Sequence, residues 1–136
     1  MLSGMTTDSF ELDDLLPALP EVVYDAWTDA TGHTRMTGAG ATSDPRAGGA
    51  FTAWDGYITG THVELERPRR ILQRWRTAEF PEGAADSRLE IRLDEEGGGA
   101  RIRILHSEIP AGQGGRYEAG WVEHYLEPMK RHFGGG

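Results

Sequence analysis

The chain has 136 residues, with 22 acidic side chains against 14 lysines and arginines, and its formal net charge at pH 7 is −8. This charge argues against nucleic acid or an anionic membrane surface as the main partner. The absence of cysteine excludes disulfides, thiol catalysis and thiolate metal sites. A chain of this length can form one domain without a stabilising metal or disulfide. We expect that domain to span residues 8–134, with flexible ends at residues 1–7 and 135–136.

The first third of the chain predicts one strand followed by two short helices. Alternating apolar residues predict the strand over residues 9–15. Pro20 suits the first turn of a helix, because the N–H that proline lacks would have no partner there. A second helix begins after Thr28 or Asp29, either of which can cap it. It ends at Gly38, since glycine favours the left-handed conformation found at helix ends.

From Gly49 onward the apolar residues alternate with a period of two, which predicts an antiparallel sheet. The first two strand candidates, residues 51–54 and 57–66, are separated by the pair Asp55-Gly56. This pair tolerates positive φ and is typical of a hairpin turn. The remaining strand candidates are residues 71–76, 88–93 and 101–104.

The last part of the chain predicts one long helix over residues 115–133. Its apolar stripe repeats every four residues, at Tyr117, Trp121, Tyr125, Met129 and Phe133. At about 1.5 Å per residue the helix is roughly 30 Å long, enough to cross a whole sheet. Pro128 lacks the backbone donor for a helical hydrogen bond, so we expect a kink near His124. The order of elements predicts an α+β fold with this helix laid across the sheet.

The glycines between residues 43 and 60 do not form a phosphate-binding loop. Such a loop follows a strand and opens a helix, so that helix N–H groups face the anion. Here Gly48 and Gly49 precede a strand, and Gly56 belongs to a hairpin turn. Gly60, inside a strand, indicates a bulge or a close backbone approach that lets the sheet curl.

The ionisable residues give no strong signal for a catalytic or metal site. The five histidines at positions 33, 62, 106, 124 and 132 show no metal-ligand spacing, so we expect no metal and no cofactor. The sequence His106-Ser107-Glu108 does not predict a triad, because adjacent strand residues point to opposite faces. Glu64 and Glu66 form either a carboxylate pair or a solvated edge balanced by the arginines of residues 67–76.

Aromatic residues offer the better lead to a function. Five of them are expected between the sheet and the long helix: Trp54, Tyr57, Trp75, Trp121 and Tyr125. They form either a fully packed core or the walls of an apolar cavity, since a long helix over a strongly curved sheet leaves space beneath it. His62 and His106 are the candidate polar groups of such a cavity.

Four segments resemble, in order and spacing, the C-terminal domain of the heat-shock-protein-90 ATPase activator. They are VVYDAWTDA (22–30), SDPRAGGAFTAWDGYITGTHVEL (43–65), ILQRWR (71–76) and GWVEHYLEPMKRHFG (120–134). That family belongs to the START-like, helix-grip (SRPBCC) superfamily. The resemblance implies a curved antiparallel sheet wrapped around a long C-terminal helix, with two short helices after the first strand. It also implies a hydrophobic ligand in the cavity between sheet and helix.

Three functions are open at this point. The first is a non-enzymatic START-like domain that binds a small hydrophobic molecule in the cavity. The second is a co-chaperone-like module that contacts a heat-shock-protein-90-type chaperone ATPase in the stress response. The third is a cyclase- or hydrolase-like enzyme with His62 or His106 as its acid/base group.

The sequence also carries expectations about location. No apolar run approaches the roughly 20 residues that span a bilayer. The N-terminus lacks a basic region followed by an apolar stretch, which a signal peptide would have. We therefore expect no membrane insertion and a cytoplasmic location.

Overall fold

The computed structural model describes residues 7–134, which form seven strands and a set of helices. The strands are β1 (Thr7–Leu16), β2 (Thr42–Ser43), β3 (Ala50–Ala53), β4 (Ile58–Glu66), β5 (Arg70–Thr77), β6 (Ser87–Glu96) and β7 (Gly99–Pro110). The helices are α1 (Pro20–Thr28), α2 (Ala30–Thr37), α3 (Gly114–Trp121), a π-helical turn (Val122–Leu126) and α4 (Glu127–Phe133). The last three are continuous and make up the C-terminal helix, residues 114–133.

All seven strands belong to one antiparallel sheet in the order β1-β7-β6-β5-β4-β3-β2. The first strand therefore pairs with the last, and Thr7 lies opposite Pro110. Thr7, which we expected in a flexible end, is thus already part of β1. Our expectations for residues 1–6 and 135–136 lie outside the described residues.

The two short helices follow β1 as predicted. Pro20 occupies the first turn of α1, and its N-cap residue Leu19 makes no side-chain capping hydrogen bond. Asp29 caps α2, since its carboxylate accepts the Gly32 N–H at 2.8 Å. Gly38 ends α2 in the left-handed conformation, at a φ of 87°.

The β3–β4 hairpin turn is tied to the segment after α2. Ala53 pairs with Ile58, and φ is positive at the turn residues Trp54 (52°), Asp55 (58°) and Gly56 (91°). Asp55 exchanges two hydrogen bonds of 2.9 Å with Gly40, one through its carboxylate and one through its backbone N–H. The Asp-Gly hairpin is therefore confirmed, but its turn also includes Trp54 and Tyr57, which we expected in the strands. The turn holds these two residues at one end of β3 and β4.

Gly60 is a point of close approach inside β4. A Cβ at this position would lie 2.6 Å from the Phe51 ring and would also collide with the Arg74 carbonyl oxygen. The irregularity in strand pairing comes slightly later, between His62 and Glu64. Of the two interpretations of Gly60, the close approach is the correct one.

The C-terminal helix changes its hydrogen bonding where we predicted a kink. The Glu127 N–H donates to the Val122 carbonyl, five residues back, which defines a π-helical turn that contains His124. Pro128 follows at the start of α4 and has no N–H to continue the α-helical ladder. Turns of the π-helical type are rare in proteins, and those that occur are often found at functional sites.

The outer face of the sheet carries an ion-pair network around a buried carboxylate. Glu90 is only 3% exposed and accepts hydrogen bonds from Arg70 at 2.8 Å and from Arg92 at 2.6 Å. Burial alone would raise the pKa of Glu90, but these two guanidinium groups outweigh it and hold the pKa below its usual range. Arg70 also binds Glu64 and Glu66, so these two acids form an edge balanced by arginine.

Candidate functional site

A cavity of about 270 Å³ lies between the β3–β4 hairpin turn, β5 and the C-terminal helix. Its lining consists of Trp54, Tyr57, Ile58, Trp75, Tyr117, Gly120, Trp121, His124 and Tyr125. The five aromatic residues that we selected from the sequence all lie in this lining. Ile58, Tyr117, Gly120 and His124 complete it and were not among the predicted cavity residues.

The helical side of the lining is one face of the C-terminal helix. Tyr117, Gly120, Trp121, His124 and Tyr125 recur at spacings of three and four, which brings them onto one stripe. The other side comes from the sheet: Trp75 points inward from β5, and the hairpin turn contributes Trp54 and Tyr57.

The aromatic walls pack directly against one another. The rings of Trp121 and Tyr125 have centroids 4.6 Å apart, and Trp75 lies 5.8 Å from Trp121 and 5.1 Å from Tyr117. These are the distances of stacked and edge-to-face aromatic pairs, which stabilise beyond the area that they bury. The walls therefore form a fixed frame around the cavity.

The three tyrosine hydroxyls of the lining already have partners within the protein. Tyr57 donates to the Glu79 carboxylate at 2.7 Å, and Tyr117 donates to Gln113 Oε1 at 2.7 Å. Tyr125 is hydrogen-bonded to His33 Nε2 at 2.8 Å. Because these hydroxyls are occupied, the interior of the cavity presents mainly aromatic carbon.

His33 supports the cavity from behind Tyr125. Its Nδ1 must donate to the Trp27 carbonyl oxygen, 2.9 Å away, so Nε2 is the acceptor of the Tyr125 hydroxyl. Burial lowers the pKa of His33, which keeps the ring neutral as this arrangement requires. The two partners are 92 residues apart in the chain, and nothing in the sequence links them.

His106 lies behind the wall rather than in the lining. The Trp121 indole N–H donates to its Nδ1 at 3.0 Å, and the Trp75 ring packs edge-on against it at 4.6 Å. Since Nδ1 accepts, Nε2 carries the proton and donates to Ser87 Oγ at 2.8 Å. Burial lowers the pKa of His106 to about 3. The two tryptophans separate this histidine from the space that it was predicted to face.

His62 lies in a different part of the interior. Its Nδ1 accepts from the Gln73 amide at 3.3 Å, and its Nε2 is 3.0 Å from Ser43 Oγ. The ring stacks on Phe51 and borders a separate space of about 10 Å³ that Trp27 and His33 also line. Burial lowers the pKa of His62. His62 lies four residues along β4 from Ile58, which lines the aromatic cavity, so the length of the strand separates it from that cavity.

Trp54 has an unusual backbone conformation at the edge of the cavity. Its φ of 52° is rare for a bulky residue, and strain of this kind is found most often at ligand sites and switches. The ring packs edge-on against His124 at 5.3 Å. Its buried indole nitrogen has no hydrogen-bond partner among residues 7–134.

Within residues 7–134 no group of three or more histidine, aspartate or glutamate side chains is arranged to hold a metal ion. No helix in the same range is long and apolar enough to cross a membrane.

Known proteins resemble this chain over almost its whole length. A family model described as "Activator of Hsp90 ATPase homolog 1-like protein" matches residues 17–134. The human "Activator of 90 kDa heat shock protein ATPase homolog 1" is 29% identical over 117 residues, which are 86% of this chain and 34% of that protein. The Dictyostelium discoideum homolog is 25% identical over 129 residues, or 94% of this chain and 33% of that protein. The chain thus spans about a third of the length of these curated relatives.

Solved structures agree with this relationship. An HSP90 activator from Plasmodium falciparum superposes with a TM-score of 0.83 at 28% identity, covering 93% of this chain and 96% of that one. CalU16 from Micromonospora echinospora superposes with a TM-score of 0.78 at 27% identity, covering 92% of this chain and 75% of that one. The predicted α+β helix-grip fold is confirmed. The chain belongs to the family of Activator of Hsp90 ATPase homolog 1-like proteins.

Proposed function

We propose that this protein binds a small, mainly apolar molecule in the aromatic cavity and does not transform it chemically. The observation that carries the proposal is a cavity of about 270 Å³ walled by six aromatic side chains. Pockets for small ligands are typically about 300–1,000 Å³, so this one suits a compact molecule rather than a lipid with long chains.

The space is a cleft that has a buried aromatic floor and is open to solvent. Trp75 and Trp121 are each only 3% exposed, whereas Tyr57 and His124 of the same lining are exposed. A concave, mostly apolar cleft is the usual setting for a small ligand. The walls are also braced from behind by His33 and His106, which favours a pocket that is already formed before a ligand arrives.

An enzymatic role has less support. The acid/base candidates His62 and His106 are not in the lining, and both ring nitrogens of each are engaged in hydrogen bonds. A general base must reach the proton that it abstracts, directly or through one water. His124 is the imidazole that borders the cavity, and its side chain is 59% exposed.

Calorimetric titration with 2-naphthol tests the proposal. We expect saturable binding with a negative heat-capacity change, because apolar surface is buried on binding. Trp54→Ala, at the edge of the cavity, should weaken the affinity several-fold. Val22→Ala is the matched control, since Val22 is 49% exposed on α1 and does not line the cavity. Absence of heat from 2-naphthol and from other compact ring compounds would overturn the proposal.

A second candidate function follows from family membership. Relatives carry the name of activators of a heat shock protein ATPase, so we also propose that this domain docks on a chaperone of that class. Its charged surface, including the arginines of β5, would mainly raise the rate of association and make it sensitive to salt. The test measures the ATPase rate of such a chaperone at saturating domain. An unchanged rate together with no detectable association would exclude this role.

A further inference from the structure

Gly120 interrupts the aromatic stripe of the C-terminal helix. In this stripe Tyr117 precedes Gly120 and Trp121 follows it directly. His124 and Tyr125 come one turn later. The rings of Tyr117, Trp121 and Tyr125 are buried, and that of His124 packs against Trp54 of the hairpin turn, whereas Gly120 offers only backbone. The cavity lies where a side chain at position 120 would otherwise stand.

Neither packing nor backbone conformation requires glycine at this position. Gly120 is absent from the residues with positive φ, so its backbone suits any amino acid. Apart from its chain neighbours and the backbone of its own helix, a Cβ added here would meet one atom within 4 Å in the described part of the chain, His124 Cδ2 at an ordinary 3.9 Å. Glycine inside a helix is less stable than alanine by roughly 0.5–1 kcal/mol. The sequence thus keeps a destabilising residue at a place where a larger one would fit.

We propose that Gly120 is the residue that keeps the mouth of the cavity open. The inference rests on the proposed ligand-binding function and deepens it. The exposed members of the lining, Tyr57 and His124, mark the side of the cavity that faces solvent, and Gly120 is only partly buried beside them. A molecule that enters between the hairpin turn and the helix passes over the bare backbone at Gly120.

The same geometry points to a class of ligand. Because the tyrosine hydroxyls and the Trp121 indole are committed to protein partners, the interior favours flat, uncharged rings that stack on aromatic walls. His124, at the mouth, is the lining residue whose imidazole is open to solvent. His124 also packs edge-on against Trp54, whose buried indole N–H lacks a hydrogen-bond partner among residues 7–134. A compact ring compound with one hydrogen-bonding group therefore fits best with that group next to His124 and Trp54.

Substitution at Gly120 tests the mouth, with Gly115 as the matched control. Both glycines lie in α3, and a Cβ at Gly115 would meet nothing within 4 Å among the described residues. Gly120→Leu should fold and lose affinity for 2-naphthol by about tenfold or more, which corresponds to about 1.4 kcal/mol. Gly115→Leu should bind like the wild type. Gly120→Met, with a more flexible side chain, is the second variant if the leucine variant does not fold.

Substitution at His124 tests the orientation of the ligand. His124→Leu should lower the affinity for 2-naphthol several-fold and leave the affinity for naphthalene, which lacks the hydroxyl, almost unchanged. Equal losses for both probes, or no loss for either, would contradict the placement of the polar group next to His124.

The outcomes separate this inference from the proposed function. If the wild type binds neither probe and no other compact ring compound, the ligand-binding function fails and the inference fails with it. If the wild type binds 2-naphthol and folded Gly120→Leu or Gly120→Met binds it equally well, the cavity is a binding site but Gly120 does not control its mouth. Loss of binding in the Gly120 variants alone supports both.

Discussion

The indole N–H of Trp121 donates a 3.0 Å hydrogen bond to His106 Nδ1, which joins the wall of the cavity to the sheet behind it. The same imidazole donates to Ser87 Oγ, and that hydroxyl donates to the Trp75 carbonyl oxygen at 2.9 Å. Trp121 and Trp75, two walls of one cavity, are therefore connected through a single buried chain of hydrogen bonds. Such a chain fixes the orientation of the Trp121 ring, which aromatic packing alone would leave adjustable.

His106→Leu should destabilise the fold. Leucine fills much of the volume but leaves the Trp121 N–H without an acceptor and Ser87 without a donor. Each unpaired buried group costs about 1–3 kcal/mol, so we expect a loss of about 2–5 kcal/mol in the free energy of unfolding. Denaturant titration measures it. His132→Leu is the control, because His132 is exposed and its substitution should change the value by less than about 0.5 kcal/mol. Equal effects for the two variants would contradict the role of His106.

Stability should fall as the pH is lowered from 6.5 toward 5. Burial lowers the pKa of His106 to about 3, against an ordinary value of 6.5, and also lowers the pKa of His33 and His62. Below pH 6.5 the unfolded chain takes up protons that the folded protein does not bind, so the free energy of unfolding decreases. Each such histidine contributes up to about 1.4 kcal/mol per pH unit in that range.

Denaturant titrations at several pH values check this expectation. Carboxylates have ordinary pKa values near 4, so the change between pH 6.5 and 5 reports mainly the histidines. The slope should be shallower in His106→Leu, which lacks one of the three. A stability that stays constant across this window would mean that the histidines are already protonated or exposed in the folded protein.

Glu90→Ala should destabilise the fold, because it disrupts the ion-pair network on the outer face of the sheet. The change removes the shared partner of Arg70 and Arg92 and places those charges side by side on neighbouring strands. Arg70 keeps Glu64 and Glu66, so we expect a loss of about 1–3 kcal/mol, below the cost of an isolated buried charge. Thermal unfolding at low and high salt measures it, with exposed Glu11→Ala as the control. A loss no larger than that of Glu11→Ala would contradict the network.

Gly60→Ala should disrupt the curled end of the sheet. The added methyl group collides with the Phe51 ring and the Arg74 carbonyl oxygen, and relief requires β3 or β5 to move. Overpacking of this kind costs about 1–3 kcal/mol. Gly115→Ala, with free space around it, should instead stabilise the fold slightly. The melting temperatures of the two variants test this prediction. An unchanged melting temperature for Gly60→Ala would mean that the sheet adapts to the methyl group without loss of stability.

Much of the fold could be predicted because hydrophobic periodicity and turn residues determine its helices, strands and turns locally. The period of four in the C-terminal helix and the period of two in the strands selected five aromatic residues that line one cavity. Pro128 predicted a kink near His124, and the structure has a π-helical turn that contains His124 there. The Asp55-Gly56 turn followed from the positive φ that such a pair tolerates.

The other features of the site depend on contacts between distant parts of the chain, which sequence patterns do not reveal. His106 and His62 were expected in the cavity, but two tryptophan rings cover the first, and the second lies farther along β4 against Phe51. Gly120 has no side chain to form a pattern, and its role depends on the empty space beside it. Glu90 alternates like a surface residue, yet arginines from its own and the neighbouring strand bury it.

The most direct test of the account is an NMR titration of the isotopically labelled protein with 2-naphthol. The four indole N–H signals belong to Trp27, Trp54, Trp75 and Trp121. We expect the signals of the three lining tryptophans to shift together and saturably, and the signal of Trp27, which is outside the lining, to shift much less. If no indole signal moves with 2-naphthol or with other compact ring compounds, the space between sheet and helix is not a binding site.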